Sequence, residues 1–503
     1  MFKRIQVLVF LALVLTTLYL TQQYWQGWLL GTISILFTMS AVFIGILIFF
    51  ENRQPSQTVT WLLVLAAFPI VGFFFYIIFG QNYRKRKMFQ QKGELDEQAF
   101  RKIEGDQHIE HEQMAQMGDH QKLLFRLAQR LGHSPITFNT ETKVLTNGEE
   151  TFRWLLHELR KAKHHIHMEY YIVRHDEIGK EIKDILIEKA QEGVEVRFLY
   201  DAVGSWKLSN DYKQEMKEAG VEVVPFSPVR LPFLNNKINF RNHRKIVVVD
   251  GDAAFVGGLN VGDEYLGRHA YFGFWRDTHL YVKGESVRSL QLIFLQDWYY
   301  MTGHAHLTSE YLSPTLVDYE GLGGVQMIAS GPDNEWEVIK HVFFSMIVSA
   351  KHSIWIASPY FIPDDDILEA LKVAALSGID VRILVPNRPD KRIVYYASRS
   401  YFTELLEAGI KVFAYKEGFM HGKIMIVDSE LASIGTSNMD MRSFHLNFEV
   451  NAFLYRTKST HTLVNDYLND LTCSEEIVLE TFRKRPIWKR MLESTSRLLS
   501  PLL

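Results

Sequence analysis

Two short segments of this chain carry the same three polar residues at the same spacing. A histidine is followed by a lysine two residues later, and an aspartate comes five residues after the lysine. The segments run from His243 to Asp250 and from His421 to Asp428. A histidine beside a lysine suits phosphate chemistry, because an imidazole can attack phosphorus while an ammonium group balances the charge on oxygen. Two copies predict one site built from two halves.

The apolar residues behind each lysine indicate how the motifs are held. Ile246–Val249 and Ile424–Val427 are continuous apolar runs, which are typical of strands buried on both faces. Side chains alternate along a strand, so each histidine shares a face with the lysine two residues on, and the aspartate falls on the other face or at the strand end. We interpret the aspartates as supports of the turn. The predicted catalytic set is His243, Lys245, Asp250, His421, Lys423 and Asp428.

Glycine and amide residues follow both motifs at similar offsets. Glycine lets a backbone approach a ligand closely, and hydroxyl or amide groups offer neutral partners for phosphate oxygens. The predicted phosphate-binding residues are Asn260, Ser437 and Asn438. An attacking imidazole also needs an acceptor on its second nitrogen to set its tautomer, and Asp277 and Glu449 are predicted to be these acceptors. The alternative for both is a surface carboxylate.

A metal site is the main competing explanation of the histidines. A histidine and an aspartate can both ligate a metal, but a lysine between them would repel a cation. A single His-x-Lys triplet carries little weight, whereas two copies, each followed by glycine and asparagine, leave little room for chance. We therefore expect no metal and no cofactor.

The sequence around the motifs is duplicated as well. A glycine-led segment at 193–197 matches 378–382, and the segment at 219–223 matches 408–412. Helix and strand patterns alternate around them, which predicts two α/β domains, 134–322 and 323–503, that share one active site. His164, His165 and His167 precede the first strand of the first copy. The second copy lacks such a cluster, so we interpret it as an ordinary strand entry.

The first 83 of the 503 residues are markedly apolar. Runs at 28–50 and 61–79 are long enough to cross the roughly 30 Å hydrocarbon core, and they predict a transmembrane helical hairpin. A shorter run at 5–20 either crosses as well or lies along the interface. Arg84 to Lys87 follow the last run, which predicts that the body lies on the cytoplasmic side of the membrane. The competing explanation is a buried core hairpin.

Composition limits the remaining possibilities. Residues 84–133 are charged and helix-prone, and we interpret them as a linker in the form of a solvated connecting helix. The single cysteine, Cys473, excludes a disulfide framework within the chain. The formal net charge of −3 argues against a nucleic-acid partner, because a phosphate backbone calls for a broad basic surface. No oligomeric state is predicted.

The motifs resemble those of the phospholipase D (PLD) superfamily, in which His-x-Lys-x4-Asp is followed by glycine and asparagine. Within it, the chain is similar to the bacterial cardiolipin synthases over essentially its whole length. The segments that carry this second resemblance are the N-terminal hairpin and residues 82–85, 241–245 and 437–443. The resemblance implies two PLD-type α/β sandwich domains behind a transmembrane helical segment.

The resemblance also implies a reaction. One histidine attacks the phosphodiester of phosphatidylglycerol. The other protonates the departing glycerol and then activates a second phosphatidylglycerol, which gives cardiolipin. In the family the N-terminal motif usually attacks, so we assign attack to His243 and proton transfer to His421, and the near-symmetric sequence also allows the reverse. The alternatives are a membrane-bound PLD hydrolase, with water as the acceptor, and a membrane-tethered nuclease.

Apolar residues near the motifs and the C-terminal tail have two interpretations each. Residues 231–234 precede the first motif and Phe419 with Met420 precede the second, and these either contact acyl chains or belong to the core. Residues 483–492 mix basic with apolar side chains. That mixture suits an interfacial helix on anionic lipid, and the alternative is an ordinary packed helix.

Overall fold

The computed structural model describes residues 55–67, 117–228, 239–304, 308–312 and 323–503, together with scattered residues before residue 115. The chain separates into two compact units. The first contains residues 1–88 and 231–236, and the second contains residues 89–230 and 237–503. Both copies of the His-x-Lys motif lie in the second unit.

The first unit contains the helix Pro55–Ala67. Ile44, Ile48, Leu65 and Tyr76 form a small buried cluster in this unit. Within the described part of the chain, no helix combines the length and the apolar character needed to cross a membrane. Much of the two predicted spans, and all of residues 5–20 and 231–234, lie outside the described residues.

A seven-stranded mixed sheet forms the first half of the second unit. The strands of this half are β1 (Thr140–Thr146), β2 (His165–Tyr170), β3 (Glu195–Asp201), β4 (Glu222–Phe226), β5 (Ile246–Val249), β6 (Ala253–Gly257), β7 (Phe274–Arg276) and β8 (Thr278–Gly284). The order in the sheet is β1-β8-β6-β5-β2-β3-β4, and β7 lies outside it. The neighbours β2, β3 and β4 are parallel, whereas β5, β6, β8 and β1 pair antiparallel.

An eight-stranded sheet forms the second half. Its strands and the short strands beside it are β9 (Gly324–Ser330), β10 (Ser353–Ala357), β11 (Phe361–Ile362), β12 (Asp380–Pro386), β13 (Lys411–Tyr415), β14 (Gly418–Met420), β15 (Ile424–Val427), β16 (Leu431–Gly435), β17 (Met439–Asp440), β18 (Glu449–Tyr455) and β19 (Ser474–Glu476). The order is β9-β18-β16-β15-β10-β12-β13-β19. Its first seven strands repeat the first sheet one for one, so the predicted duplication of an α/β unit is confirmed. The predicted boundary at 322–323 borders residues 313–322, which are outside the described part.

Helices cover the outer faces of both sheets and fill the connections. Those of the first half are Asp119–Gly132, Asn147–Lys161, Glu177–Gln191, Asn210–Glu218, Ser286–Thr302 and Ser309–Leu312. Those of the second half are Val338–Ser349, Asp365–Leu376, Arg392–Ser400, Phe402–Glu407, Met441–His445, Lys458–Thr472, Leu479–Arg483 and Ile487–Arg497. Short 3-10 turns lie at Asp263–Leu266 and Ser500–Leu502.

The motif strands lie at the centre of the packing between the two sheets. Ile246 and Val248 of β5 share one buried apolar cluster with Ile424 and Ile426 of β15. The alternate residue Val247 faces the helices of its own half in a second cluster. Both strands are therefore buried on both faces, as their continuous apolar runs predict. A common core fixes the two motifs relative to each other.

One part of the predicted linker is wrong. Residues 119–132 are not a solvated connection, because the helix Asp119–Gly132 buries Leu124 and Phe125 in the core of the second half, where Ile328 and Val338 also lie. The error came from judging the whole charged segment by its composition, although this helix has one apolar face that packs against the core. A segment that precedes the first sheet thus stabilises the second.

We expect Phe125→Ala to lower the free energy of unfolding by about 3–5 kcal/mol, because it empties a fully buried position. Leu123→Ala is the matched control, since Leu123 lies on the same helix and is 61% exposed, and it should change stability by less than about 0.5 kcal/mol. Chemical denaturation of the detergent-solubilised full chain measures both. Equal effects would mean that the helix is peripheral.

Candidate active site

The backbone of each motif pairs with a segment of the opposite half. The amide of His243 donates to the carbonyl oxygen of Phe448 (2.9 Å), and the amide of Phe448 donates to the carbonyl oxygen of Arg241 (2.9 Å). In the second half, β14 pairs in parallel with β7, and the amide of His421 donates to the carbonyl oxygen of Arg276 (2.7 Å). The histidines are therefore positioned by interdomain hydrogen bonds.

The residue after each backbone partner is the acid that the histidine ring contacts. Nδ1 of His243 lies 3.0 Å from Oε2 of Glu449, and Nδ1 of His421 lies 2.6 Å from Oδ2 of Asp277. Both carboxylates are fully buried. Each histidine takes its acceptor from the other half of the chain, and this contact leaves Nε2 as the nitrogen for chemistry.

Lys245 and Lys423 are buried beside the histidines. Their Nζ atoms donate to the carbonyl oxygens of His243 (2.6 Å) and His421 (2.7 Å). Burial lowers the pKa of Lys245 to about 7 and that of Lys423 to about 8, and the charge of Glu449 opposes the fall in both pKa values. The positive charge of Lys423 also lowers the pKa of Lys245. This effect across the two halves agrees with a single site that contains both motifs.

Burial lowers the pKa of His243 and of His421 to about 4. The carboxylate beside each ring raises its pKa, while the lysine charges of both halves lower it further. Both rings are therefore neutral at neutral pH, which a nucleophile or a general base requires. Burial acts to raise the pKa of Asp277, but His421 and Lys423 outweigh it and keep that pKa below its usual value.

The motif aspartates lie at the far ends of β5 and β15, away from the histidines. The carboxylate of Asp250 accepts the amides of Lys163, His164 and His165 at 2.8–2.9 Å. Asp428 accepts the equivalent three amides, of residues 351–353, at 2.7–2.8 Å. Both aspartates have a left-handed backbone, with φ of 55° and 52°. Their carboxylates therefore tie the end of the motif strand to the start of β2 or β10.

The glycines after the motifs make room for protein atoms. A Cβ on Gly258 would collide with the carboxylate of Asp277, and one on Gly435 would collide with the carbonyl of Val450. The expectation that these glycines admit a ligand is therefore corrected at both positions. Their lack of a side chain lets the acidic segments approach β6 and β16 closely.

The three predicted phosphate-binding residues differ in their contacts. Oδ1 of Asn260 accepts the amide of Ile172 (3.1 Å). The Ser437 hydroxyl donates weakly to the carbonyl of Asn438 (3.3 Å). Oδ1 of Asn438 is buried and has no hydrogen-bond partner within the described residues. The side chain of Asn260 is thus partly used in a hydrogen bond within the fold. Ser437 and Asn438 are neighbours, and their side chains can accept further hydrogen bonds.

A buried polar network supports the first motif, and the sequence did not reveal it. Arg244 pairs with Asp297, and its Nε donates to the carbonyl of Glu449 (3.2 Å). Asn242 donates to Glu169 and, at 3.4 Å, to Asp297. Burial and the neighbouring Asp297 raise the pKa of Glu169 well above its usual value. The signal in the sequence was that Glu169 and Asp297 each lie in a segment rich in apolar residues.

Aromatic rings and one further acid also surround the histidines. The ring of Tyr171 lies 4.9 Å from that of His243, and the ring of Trp275 lies 5.0 Å from that of His421, measured between centroids. Asp440 begins the helix Met441–His445 by accepting the amide of Ser443 at 2.7 Å. Burial raises the pKa of Asp440 to about 6. None of these three side chains was predicted.

Two other predicted features have structural roles. His165 and His167 are buried and hydrogen-bond to Gln291 at 3.0 and 2.6 Å, which agrees with a strand entry. Phe419 and Met420 are each 1% exposed and lie in the apolar cores, so the core interpretation holds for them. Among the described residues, no three His, Cys, Asp or Glu side chains are gathered in a way that could hold a metal ion.

The duplicated sheets and the single site formed by two His-x-Lys motifs define a two-domain protein of the PLD superfamily. A family model described as cardiolipin synthase, PLD-like domain, matches residues 155–298 and 343–471. A second model, described as phospholipase D-nuclease N-terminal, matches residues 34–81. The chain belongs to the cardiolipin synthases, a family of phosphatidyltransferases, and the predicted family is confirmed.

Full-length relatives agree with this assignment. Proteins named cardiolipin synthase from Alkalihalophilus pseudofirmus and Halalkalibacterium halodurans are 67% and 66% identical over 501 residues, which covers 100% of each chain. The phosphatidylserine synthase of Haemophilus influenzae Rd KW20 has a TM-score of 0.56 at 16% identity, over 76% of this chain and 100% of its own. That last similarity shows the fold alone.

We expect Gly258→Ala to lower the free energy of unfolding by about 1–3 kcal/mol, because the new methyl group must displace the buried carboxylate of Asp277. Gly422→Ala is the matched control within the second motif, since its Cβ would meet no atom closer than 3.6 Å. Thermal denaturation of the two variants in the same detergent measures the difference. Equal stability would show that the acid can move without cost.

Proposed function

We propose that this enzyme transfers a phosphatidyl group from one phosphatidylglycerol to another, which gives cardiolipin and glycerol, through a phosphatidyl-histidine intermediate. The observation that carries the proposal is the crossed arrangement, in which two neutral histidines share one site and each is hydrogen-bonded to a buried carboxylate of the other half. Two such rings allow one to attack while the other moves the proton.

In the first step, Nε2 of His243 attacks phosphorus and the bond from phosphorus to the glycerol oxygen breaks. His421 gives its proton to that oxygen, and glycerol leaves. In the second step, His421 takes the proton of the terminal hydroxyl of a second phosphatidylglycerol, whose oxygen attacks phosphorus. The bond between phosphorus and His243 breaks, cardiolipin forms, and His421 is protonated for the next cycle.

The surrounding charges make these steps compatible with the low pKa of His421. An anionic phosphodiester beside Lys245 and Lys423 offsets the two ammonium charges that hold this pKa down, so the bound ring can carry a proton. The lysines stabilise the charge that develops on the phosphate oxygens, and Ser437 and Asn438 offer them hydrogen bonds. Asp277 and Glu449 fix the ring tautomers, while Asp250 and Asp428 hold the motif strands.

The proposal includes a membrane location. The match of residues 34–81 to the phospholipase D-nuclease N-terminal family supports an anchoring role for the first unit. The apolar runs at 28–50 and 61–79 have the length of a transmembrane hairpin, and Arg84 to Lys87 favour a cytoplasmic body. Both substrates are lipids, so a permanent anchor keeps the site where they are concentrated.

We expect His243→Ala and His421→Ala to lose cardiolipin formation by at least about 10³-fold, because each removes a group that forms or transfers bonds. Lipid chromatography after incubation with phosphatidylglycerol alone measures the product. His157→Ala is the control, since that side chain is exposed and lies on a helix of the first half. Phosphatidic acid as the sole product of the unaltered enzyme would instead identify a hydrolase.

Labelled phosphatidylglycerol separates the roles of the two histidines. We expect His421→Ala to accumulate label on the protein, because the attacking ring is present while the second step lacks the base that takes the proton from the acceptor hydroxyl. His243→Ala should remain unlabelled. The opposite pattern would exchange the two roles. The absence of label in both variants, under conditions in which the unaltered enzyme turns over, would contradict a covalent intermediate.

The pH dependence should follow the buried lysines. If each must be charged, kcat/KM falls as pH rises through about 7 and 8, where Lys245 and Lys423 lose their protons. Glu449→Gln removes an anion that raises the pKa of both lysines, so this alkaline limb should move to lower pH. An alkaline limb that stays in place in this variant would mean that the lysines do not set it.

A further inference from the structure

The C-terminal helix Ile487–Arg497 has its polar side turned to the protein and its apolar side turned outwards. The buried residues of this helix are Glu493 and Ser496. Oε2 of Glu493 accepts Nε of Arg485 at 2.7 Å, and Arg399 lies 3.7 Å away. This arrangement is the reverse of an ordinary surface helix, which buries its apolar side.

Further polar contacts fix the orientation of the helix and the turn after it. Arg497 pairs with Glu404 at 2.8 Å. The hydroxyl of Tyr401 donates to the hydroxyl of Ser500 at 3.1 Å. These contacts lie on both sides of Glu493 along the chain, so a rotation of the helix would break several of them together. The outward direction of its apolar side is therefore set by the fold.

The exposed side is a continuous apolar strip. Ile487, Met491 and Leu498 are 73%, 65% and 79% exposed, and Trp488 is 53% exposed. At about 100° per residue, the four apolar positions 487, 488, 491 and 492 span an arc of about 140°. Such a strip in water carries an unfavourable free energy that grows with its area, so its presence points to an apolar environment outside the protein.

Basic residues border the strip. Lys484, Lys489 and Arg490 are exposed, and Nζ of Lys489 lies 5.5 Å from the ring centroid of Trp488. The acid of this helix, Glu493, is turned inwards and paired. The outer surface is therefore apolar with a cationic border, which complements an anionic phospholipid surface. A second copy of the same strip would bring like charges together.

We propose that the strip formed by Ile487, Trp488, Met491, Leu492, Leu498 and Leu499 inserts into the surface of an anionic phospholipid bilayer and docks the catalytic unit there. An apolar side flanked by lysine and arginine, with a tryptophan at the border, has the properties of an interfacial helix. The inference rests on the proposed function only in assuming that the substrate is a lipid of that bilayer.

The docked segment is connected directly to the active site. The amide of Arg442 donates to the carbonyl of Leu503 (3.0 Å), and its guanidinium donates to the carbonyls of Leu502 (3.2 Å) and Asn239 (3.0 Å). Asn239 lies four residues before His243, and Arg442 lies four residues after Asn438. Insertion of the helix therefore holds both motifs at a set distance from the lipid surface.

A depth measurement on the full chain tests the docking. Met491→Cys in a Cys473→Ser background carries the environment-sensitive fluorophore NBD, and the enzyme is reconstituted in phosphatidylcholine vesicles with or without phosphatidylglycerol. We expect doxyl-labelled lipid to quench the fluorescence of this label about threefold more than that of a control label at Leu376→Cys. Leu376 lies on the helix Asp365–Leu376 and is 73% exposed, against 65% for Met491. Removing phosphatidylglycerol or adding salt should reduce the quenching.

Two results would overturn the proposal. Lipid quenching at residue 491 no greater than at residue 376 would show that the strip stays in water. Protection of the label at residue 491 from aqueous iodide, without quenching by lipid, would assign the strip to a second copy or another protein.

Kinetics provide a second readout. The triple variant Trp488→Ser, Met491→Ser and Leu498→Ser should raise KM for vesicle phosphatidylglycerol about tenfold with little change in kcat. Its rate on monomeric short-chain phosphatidylglycerol should stay within about twofold of the unaltered enzyme. The matched control replaces Val348, Val373 and Leu376 by serine, at exposed positions on other helices. A KM equal to that of the control would contradict docking.

The two proposals fail in different ways. If the unaltered enzyme forms no cardiolipin, the proposed reaction fails, while the quenching at residue 491 still reports docking. If cardiolipin forms but residue 491 is not quenched, the reaction stands and the docking surface is wrong.

Discussion

The crossed contact between each histidine and an acid of the opposite half is the constraint on which this structure depends. Glu449 orients His243, and Asp277 orients His421. The backbone of each acidic segment also pairs with the backbone before the histidine it serves. Each motif histidine thus takes its carboxylate partner from the other half of the chain. The shared apolar core and the close packing at Gly258 and Gly435 both maintain this interdomain geometry.

Burial is what gives these groups their chemistry. In water the two lysines would be fully charged and the histidines partly protonated at neutral pH. Removed from water, both lysines have lowered pKa values and both rings are neutral. Two buried carboxylates limit the cost of holding two ammonium groups in the interior. The anionic phosphodiester of the proposed reaction favours the charged form of both lysines, so its binding would raise their pKa values.

The duplicated halves have diverged around a preserved centre. The seven equivalent strands, the two motifs and the two turn-forming aspartates repeat. Among the described residues the additions do not repeat, since β19 and the C-terminal helix belong to the second half, and the buried network of Arg244, Asp297 and Glu169 supports the first motif. Two near-identical sequence motifs therefore have different surroundings, which suits the distinct roles proposed for them.

Local pattern in the sequence was sufficient for the repeated α/β architecture and for the lysine and the acid beside each motif histidine. Continuous apolar runs and a repeated glycine-led segment are short-range signals, so β5, β15 and their motifs were predictable. The charged composition of residues 84–133 was misleading at the helix Asp119–Gly132, because the apolar residues on one face of this helix decided its burial. Only the tertiary structure decided that each acid serves the histidine of the other half, that Asp297 and Glu169 support the first motif, and that the apolar side of the last helix faces outwards. Those facts depend on contacts between residues distant in sequence, and no local pattern encodes which distant partner a side chain will meet.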